Sequence, residues 1–308
     1  LRDHLTVKIA LKIDVDNLRP ALVGVPRLAD VLETQAAGAS FLFNLGPDRS
    51  GRHTMRFLRR GMPVHLWRTR SIRDYGIASY LYGTLLPAPD IGARAAGIIR
   101  TLRDAEFETG VRSHDHMQWR TSAAHRDDAW VEHQMGLAAR RYQEITGETA
   151  RVHAAPGWQM NRHAYRLTQR LGYAYSSDTR GTHPFIPVYR AEVISCPQLP
   201  TTLPTVDELL AQPGFTREKI VPHILSLTAH TTPWGHVFTA NAAFEGLKLL
   251  TEFEDLLRGW RQQGHEIVSL HDYMLSIDTR EVPYHEVVAG TVPGRPHTVA
   301  LQGKEFLS

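Results

Sequence analysis

The sequence predicts an α/β protein in which about seven parallel strands, joined by helical crossovers, close or nearly close into a barrel. Short apolar runs bounded by turn residues recur along the 308 residues, the pattern of strands buried on both faces. Segments of helical period separate these runs, and β-α alternation favours a parallel sheet. No G-x-G-x-x-G follows the first run and no Walker-type loop occurs, which argues against an open nucleotide-binding sheet. About seven such units in ~300 residues suit a barrel.

The strand candidates are Thr6–Ile13, Ser40–Leu45, Phe107–Val111, Arg151–Ala155, Glu192–Ser195, His236–Thr239 and His265–Val268. Gly24-Val25-Pro26 opens a helix: proline suits a first turn, Val25, Leu28, Val31 and Leu32 share a face, and Gly38 can close it. Phe244–Gln263 carries an apolar stripe from Phe244 to Trp260, with Glu254 and Arg258 four apart on the far side. Helical period also fits Gly92–Asp104, Asp127–Thr146 and Arg162–Leu171.

Composition narrows the class. Hydrophobic residues at 42% and charged residues at 22% describe a soluble globular chain. Cys196 is the only cysteine, so no internal disulfide and no cysteine zinc site can form. No run of eighteen apolar residues and no leader-like segment occurs, and a reducing cytoplasmic setting is expected. Without a repeat or a linker-like stretch, one domain over residues 1–308 is the simplest organisation. A net charge of +3 implies no partner.

Catalytic groups of parallel barrels lie at the carboxyl ends of strands, and here those ends are polar. The first run ends in Asp14-Val15-Asp16-Asn17, the third in Arg112-Ser113-His114-Asp115-His116 and the next in Ala155-Pro156-Gly157-Trp158. Ser177-Asp178-Thr179-Arg180-Gly181 and Thr239-Ala240-Asn241 follow. Each has a plainer reading: Asp-x-Asp as a turn or cap, the histidines as surface residues, Asp178 and Arg180 as an exposed ion pair, Trp158 as core. Their shared location favours chemistry. Asp with His suits Zn²⁺ or a similar ion, and a metal-bound water beside a carboxylate base can hydrolyse an amide or ester.

Asp14-x-Asp16, His116, the Ala155–Trp158 segment and Ser177–Gly181, taken together, resemble the polysaccharide deacetylase (NodB-homology, carbohydrate esterase 4-like) family. Gly24-Val25-Pro26-Arg27, Gly46-Pro47-Asp48, Gly51-Arg52-His53 and Gln198–Thr205 extend the likeness from about Val7 to the Gly290–Gly303 stretch. Within that family the chain is most similar to deformylases of undecaprenyl-phosphate-linked formamido-arabinose. The resemblance implies a distorted, TIM-like (β/α) barrel that removes an N-formyl or N-acetyl group from a lipid-linked amino sugar during lipid A modification. It further implies Asp14 as general base, Asp16 and His116 as ligands of a divalent metal (Zn first, with Mn, Co or Ni as alternatives), and Asp178 beside the reaction. Arg180, Trp158 and Trp119 would contact the substrate.

The chain departs from this pattern at two positions. Arg112 stands where the first histidine of the family's H-x-x-x-H belongs, and Asn241 where a late histidine assists the leaving amine; Ala243 replaces an acidic residue. A guanidinium about 4 Å from a divalent cation is repelled by roughly 8 kcal/mol at an effective dielectric of about 20. His114 is the candidate replacement ligand and His230 the candidate replacement acid. Should Arg112 instead bridge both aspartates, the alternative is a catalytically silent relative that binds the sugar lipid.

Residues 49–73 hold eight arginines and no acid, interleaved with Met55, Phe57, Leu58, Leu66 and Trp67. That composition suits a lipid interface, with ~1 kcal/mol per basic residue near anionic lipid, better than a solvated basic face or a nucleic-acid patch. The expected setting is a peripheral insertion at about 49–90 on the inner face of a bacterial inner membrane, with no nucleic-acid partner.

Overall fold

The computed structural model describes residues 7–52, 77–230 and 232–306. Seven strands form one all-parallel sheet: β1 (Lys8–Val15), β2 (Ser40–Asn44), β3 (Glu108–Ser113), β4 (Val152–His153), β5 (Tyr175–Ser176), β8 (His236–Asn241) and β9 (Glu266–Val268). The ladder runs β5-β4-β3-β2-β1-β8. β1 shares one side between two neighbours: its first residues pair with β9 and its last four with β2. An extended segment closes the gap between β5 and β8. Leu199 N–H donates to Ser176 O at 2.7 Å, Thr201 N–H to Thr179 O at 3.0 Å, and Thr202 N–H to Val237 O at 3.0 Å. The result is a distorted (β/α) barrel.

Alternation along the strands sets what faces inward. Ala10, Leu42, Val152, Tyr175, Val237 and Val268 form a small apolar cluster distinct from the larger core. The residues between them, Ile9, Leu11, Ile13, Phe41, Phe43 and Val111, join that larger core with the helices. These are α1 (Val25–Thr34), α2 (Ile91–Asp104), α3 (His116–Ser122), α4 (Asp128–Thr146), α5 (Arg162–Arg170), α6 (Val206–Leu210), α7 (Ile220–Thr228), α8 (Leu250–Gln262) and α9 (Leu270–Leu275). Side chains of Asp90, Asp115, Asp127 and Asn161 cap α2, α3, α4 and α5 by accepting first-turn N–H groups.

The inward register of β1 carries Ala10, Lys12 and Asp14; that of β3 carries Glu108, Gly110 and Arg112. Gly110 lies against the Val152 and Leu42 side chains, where a Cβ would collide. The β2–β3 register slips between Phe43 and Asn44, which pair with Val111 and Ser113. Arg112 is thus the extra residue of a bulge, a device that re-aims a side chain beside a site.

Three expectations need correction, and a fourth falls outside the described residues. Glu192–Val193 is β7 of a second sheet, ordered β11-β10-β6-β7 with β6 (Ile186–Tyr189), β10 (Tyr284–Gly290) and β11 (Val299–Glu305). The fifth barrel strand is instead Tyr175–Ser176, too short to show a period. The Phe244–Gln263 helix begins only at Leu250, because Gly246 packs backbone to backbone on Gly24, a contact a side chain would break. Arg258 pairs with Asp255 at 2.6 Å rather than with Glu254. Most of the basic block, residues 53–73, lies outside the described residues.

At the barrel floor, Glu108 accepts from Ser40 Oγ, Tyr175 Oη and His271 N–H, tying β2, β3, β5 and α9 together. Burial pushes its carboxyl pKa up against those three donors. Glu108→Ala should lower the unfolding free energy in urea titrations by about 2–4 kcal/mol, whereas Arg280→Ala in an exposed turn should change it by less than about 0.5.

Candidate active site at the barrel mouth

The carboxyl ends of β1, β3 and β8 open into a cleft of about 100 Å³ lined by Asp14, Asp16, Arg112, His116, Trp158 and Asn241, with Arg120, Asp207, Glu245 and Arg295. Arg112 lies across its floor. Nε donates to Asp16 Oδ1 at 2.5 Å, and Nη1 stands 2.8 Å from Asp14 Oδ2. The second contact is a close ion pair whose N–H is not aligned on the oxygen, so Nη1 lacks a hydrogen-bond partner; Asp14 Oδ1, the other carboxylate oxygen, also lacks one. Asn241 Nδ2 lies 3.4 Å from Asp16 Oδ2 on the other side.

The ionisation states follow from this packing. Burial, the largest influence on Asp16, pushes its pKa up, but Arg112 and His116 reverse it and hold the carboxyl at about 2. For Asp14 burial wins over Arg112 and Lys12, and its pKa is raised. Burial lowers the His116 imidazole despite Asp16 and Asp48, which favours the neutral ring. Its backbone N–H donates to Asn44 Oδ1 at 3.1 Å, and Asn44 also accepts from Ser113 Oγ at 2.8 Å. These bonds fix the start of α3 against β2.

Trp158 forms one wall. It sits at φ 52° after Gly157 at φ 62°, a strained left-handed pair. Asp178 anchors the turn from below, accepting from Ala155 N–H at 2.7 Å and meeting His153 Nδ1 at 2.8 Å. Three cations surround the indole: Arg295 at 4.6 Å from the ring centre, Arg180 at 4.9 Å and Lys12 at 5.4 Å. Arg180 and Arg295 share the Glu208 carboxylate at 2.8 and 2.7 Å. Arg295 reaches the cleft because β11 lies along the chain at Arg180, whose N–H donates to Ala300 O at 2.9 Å.

The structure brings Asp14, Asp16, His116, Trp158 and Asn241 together in one cleft and leaves five other candidates outside its lining. His114 follows the end of β3, where the chain turns toward the Asp115 cap, and its ring packs over Gly46. Asp178 is fully buried beneath the cleft, and Arg180 faces Glu208, so these two do not pair with each other. Trp119 is buried, stacked on Trp130 at 5.8 Å, and its Nε1 donates to Gln159 O at 2.8 Å. It props the turn from behind. His230 is exposed ahead of β8, at the opposite end of that strand from Asn241.

Sequence reasoning missed Arg295 and Glu245. Glu245 stands four residues after Asn241 and accepts from its N–H at 2.9 Å; acidic character was sought at position 243 instead. Arg295 lies between Pro293-Gly294 and Pro296, a turn signal without a visible tie to the barrel.

The chain is 31% identical to the probable 4-deoxy-4-formamido-L-arabinose-phosphoundecaprenol deformylase ArnD of Shewanella sediminis, over 94% of this chain and 92% of that protein. The chain belongs to the deformylase branch of the polysaccharide deacetylase family. The deformylases of this branch are hydrolases acting on amide bonds. No family model matches. Among solved structures, a putative polysaccharide deacetylase from Mycobacterium smegmatis has a TM-score of 0.61 at 14% identity, covering 95% of this chain and 97% of its own. A family 4 acetyl xylan esterase from Clostridium thermocellum, solved with a cobalt ion, has a TM-score of 0.51 at 13% identity, covering 89% and 92%.

A deacetylase-type metal does not fit the residues of this cleft. The Arg112 guanidinium already engages both aspartates, and among the described residues no group of three or more His, Cys, Asp or Glu side chains is placed to hold an ion.

Glu245 generates a pH prediction. Burial, opposed by backbone hydrogen bonds and assisted by Asp207 and Asp14, raises its carboxyl pKa from 4.5 to about 8. The protonated form therefore supports the fold below 4.5, and that support is lost as pH rises through about 8. The melting temperature of Glu245→Gln should decline less than that of the unmodified chain between those values; parallel declines would refute the assignment. Lys12, pushed down to about 8 by burial, acts above this window and with the opposite sign.

Proposed function

We propose that the cleft receives the formamido-sugar head of an undecaprenyl-phosphate-linked 4-deoxy-arabinose, and that this chain holds it without a metal ion. Family membership supports the substrate class. The metal-free reading rests on the bridge from Arg112 to Asp14 and Asp16. A guanidinium there offers N–H donors to a formyl or hydroxyl oxygen but can neither ligate water nor accept its proton. Asn241 is likewise a hydrogen-bonding group that cannot act as an acid at neutral pH, and loss of that role alone costs about 10²–10⁴ in rate. The chain thus acts first as a sugar-lipid-binding member of its family, in the pathway that modifies lipid A. Arg120 and Arg295 border the same cleft beside the largely buried Trp158.

One observation favours a second reading, metal-independent deformylation. Asp14 Oδ1 is an unpartnered acceptor, and burial raises the pKa of the Glu245 carboxyl, next to Asn241, to about 8. A base and an acid thus share one cleft.

The setting proposed is peripheral to a membrane, on its cytoplasmic face. No helix among the described residues is long and apolar enough to cross a bilayer. Leu85, 81% exposed, tips a turn that Arg52 buttresses by donating from Nε to Gly83 O at 2.9 Å. Flotation with anionic vesicles at low salt tests this directly: the protein should rise with the lipid, and absence of binding would reject the setting.

Elemental analysis after zinc loading should find less than about 0.1 equivalent in the chain as it stands, rising toward one in Arg112→His with Asn241→His. Stoichiometric zinc in the unsubstituted chain would refute the metal-free reading. Incubation with the formamido-arabinose lipid should show binding without formate release. Release that persists in EDTA would establish the second reading instead.

A further inference from the structure

Outside the cleft lining, two imidazoles face each other between the second sheet and the chain that leaves Arg180. His183 lies in that chain and His285 in β10. Their Nε2 atoms stand 3.2 Å apart, with the ring planes crossed at 72°. His285 is buried and His183 half-buried. Trp234 stacks on His183 at 6.1 Å, and Phe185 meets His285 edge-on at 5.8 Å.

The neighbouring groups fix which nitrogen of each ring carries the proton. Gln302 Oε1 accepts from Thr182 N–H at 2.7 Å, Thr182 Oγ1 at 3.2 Å and His183 N–H at 3.4 Å. These donors orient the amide, so its Nε2, 3.0 Å from His183 Nε2, must donate there. His183 Nε2 is therefore an acceptor, and its Nδ1–H donates to Thr182 Oγ1 at 2.9 Å. On the other ring Nδ1 donates to Gly303 O at 3.0 Å, which leaves His285 Nε2 without a proton. Burial, followed by His285, lowers the His183 pKa against the influence of Glu305, in keeping with a neutral ring. Two unprotonated nitrogens thus stand in contact, and only an electrophile between them relieves their repulsion.

The spacing is that of two ligands of one metal ion. Nitrogens bound at about 2.0–2.1 Å and at a tetrahedral angle stand ~3.3–3.4 Å apart. Each ring also gives its other N–H to an oxygen, the outer contact that orients metal-binding histidines. An ion would displace the Gln302 N–H from His183 and gain the nearby negative charge of Glu305, the cross-strand partner of His285.

We propose that His183 and His285 bind one divalent transition-metal ion, Cu²⁺ more tightly than Ni²⁺ or Zn²⁺, with water completing its shell. The ion joins β10 to the chain leaving Arg180. With two protein ligands only, it exchanges with the surroundings rather than residing as a cofactor.

Titration of the whole protein with Cu²⁺, followed by tryptophan fluorescence, tests the pair, because Trp234 lies against His183. Saturable quenching is expected, and it should largely disappear in Trp234→Phe. His183→Gln and His285→Gln should each weaken the apparent affinity at least about tenfold, since even the groups behind a ligand carry about ten- to hundredfold. Electron paramagnetic resonance below one equivalent of Cu²⁺ should show splitting from two imidazole nitrogens, and from one in either variant. His116→Gln should leave both readouts unchanged. Thermal melts confirm that the variants fold.

Quenching that neither histidine variant weakens, or a one-nitrogen spectrum in the unmodified chain, overturns the assignment. So does loss of the signal in His116→Gln, which would give the ion to the cleft. Absence of saturable binding overturns it as well; a melting temperature that rises in acid only while both histidines are present would then give the pair to a shared proton. Zinc loading of His285→Gln reads the cleft without this pair, so the metal-free reading of the cleft and this site fail separately.

Discussion

The mouth of this barrel depends on the bridge from Arg112 to Asp14 and Asp16. Two carboxylates at adjoining inward positions, both largely removed from water, repel each other and lose hydration. A cation must stand between them for both to ionise. A histidine with a metal ion, and Arg112 without one, are two solutions of the same electrostatic problem. The second offsets one of the two negative charges, and its own charge is delocalised over a planar group that carries only donors. The extra residue in β3 accommodates the longer side chain, since the register slip falls at this position.

The rest of the cleft is organised around Trp158. Its left-handed backbone is unfavourable for a bulky residue, so the surroundings must over-determine it. Asp178 clamps the preceding turn through Ala155, Trp119 supports it from behind, and three cations close on the indole. Asp178 and Arg180 thereby serve the site through Trp158. Their sequence motif is a signature of architecture as much as of chemistry.

The barrel was legible in the sequence because most of its buried strands lie in apolar runs of four or more residues, a signal that the half-exposed Glu192–Val193 strand of the second sheet imitates. β4 and β5, two residues each, are defined by ladder bonds rather than by pattern, and only β4 sits within a run long enough to notice. The residues after strand ends were legible for the same topological reason. Asp14, Asp16, His116, Trp158 and Asn241 all follow that rule. His114 shows its limit: once β3 ends, alternation no longer governs direction, and a helix cap one residue later turns the ring away. Arg295 was invisible because nothing local ties residue 295 to a barrel mouth built far earlier in the chain. Its place comes from β11 pairing with the chain at Arg180 and from a shared Glu208.

That late entry of Arg295 has a consequence for the order in which the cleft is completed. Every barrel strand among the described residues precedes residue 295 in the chain, so a chain that ends before it keeps those strands while the indole lacks one of its cationic neighbours.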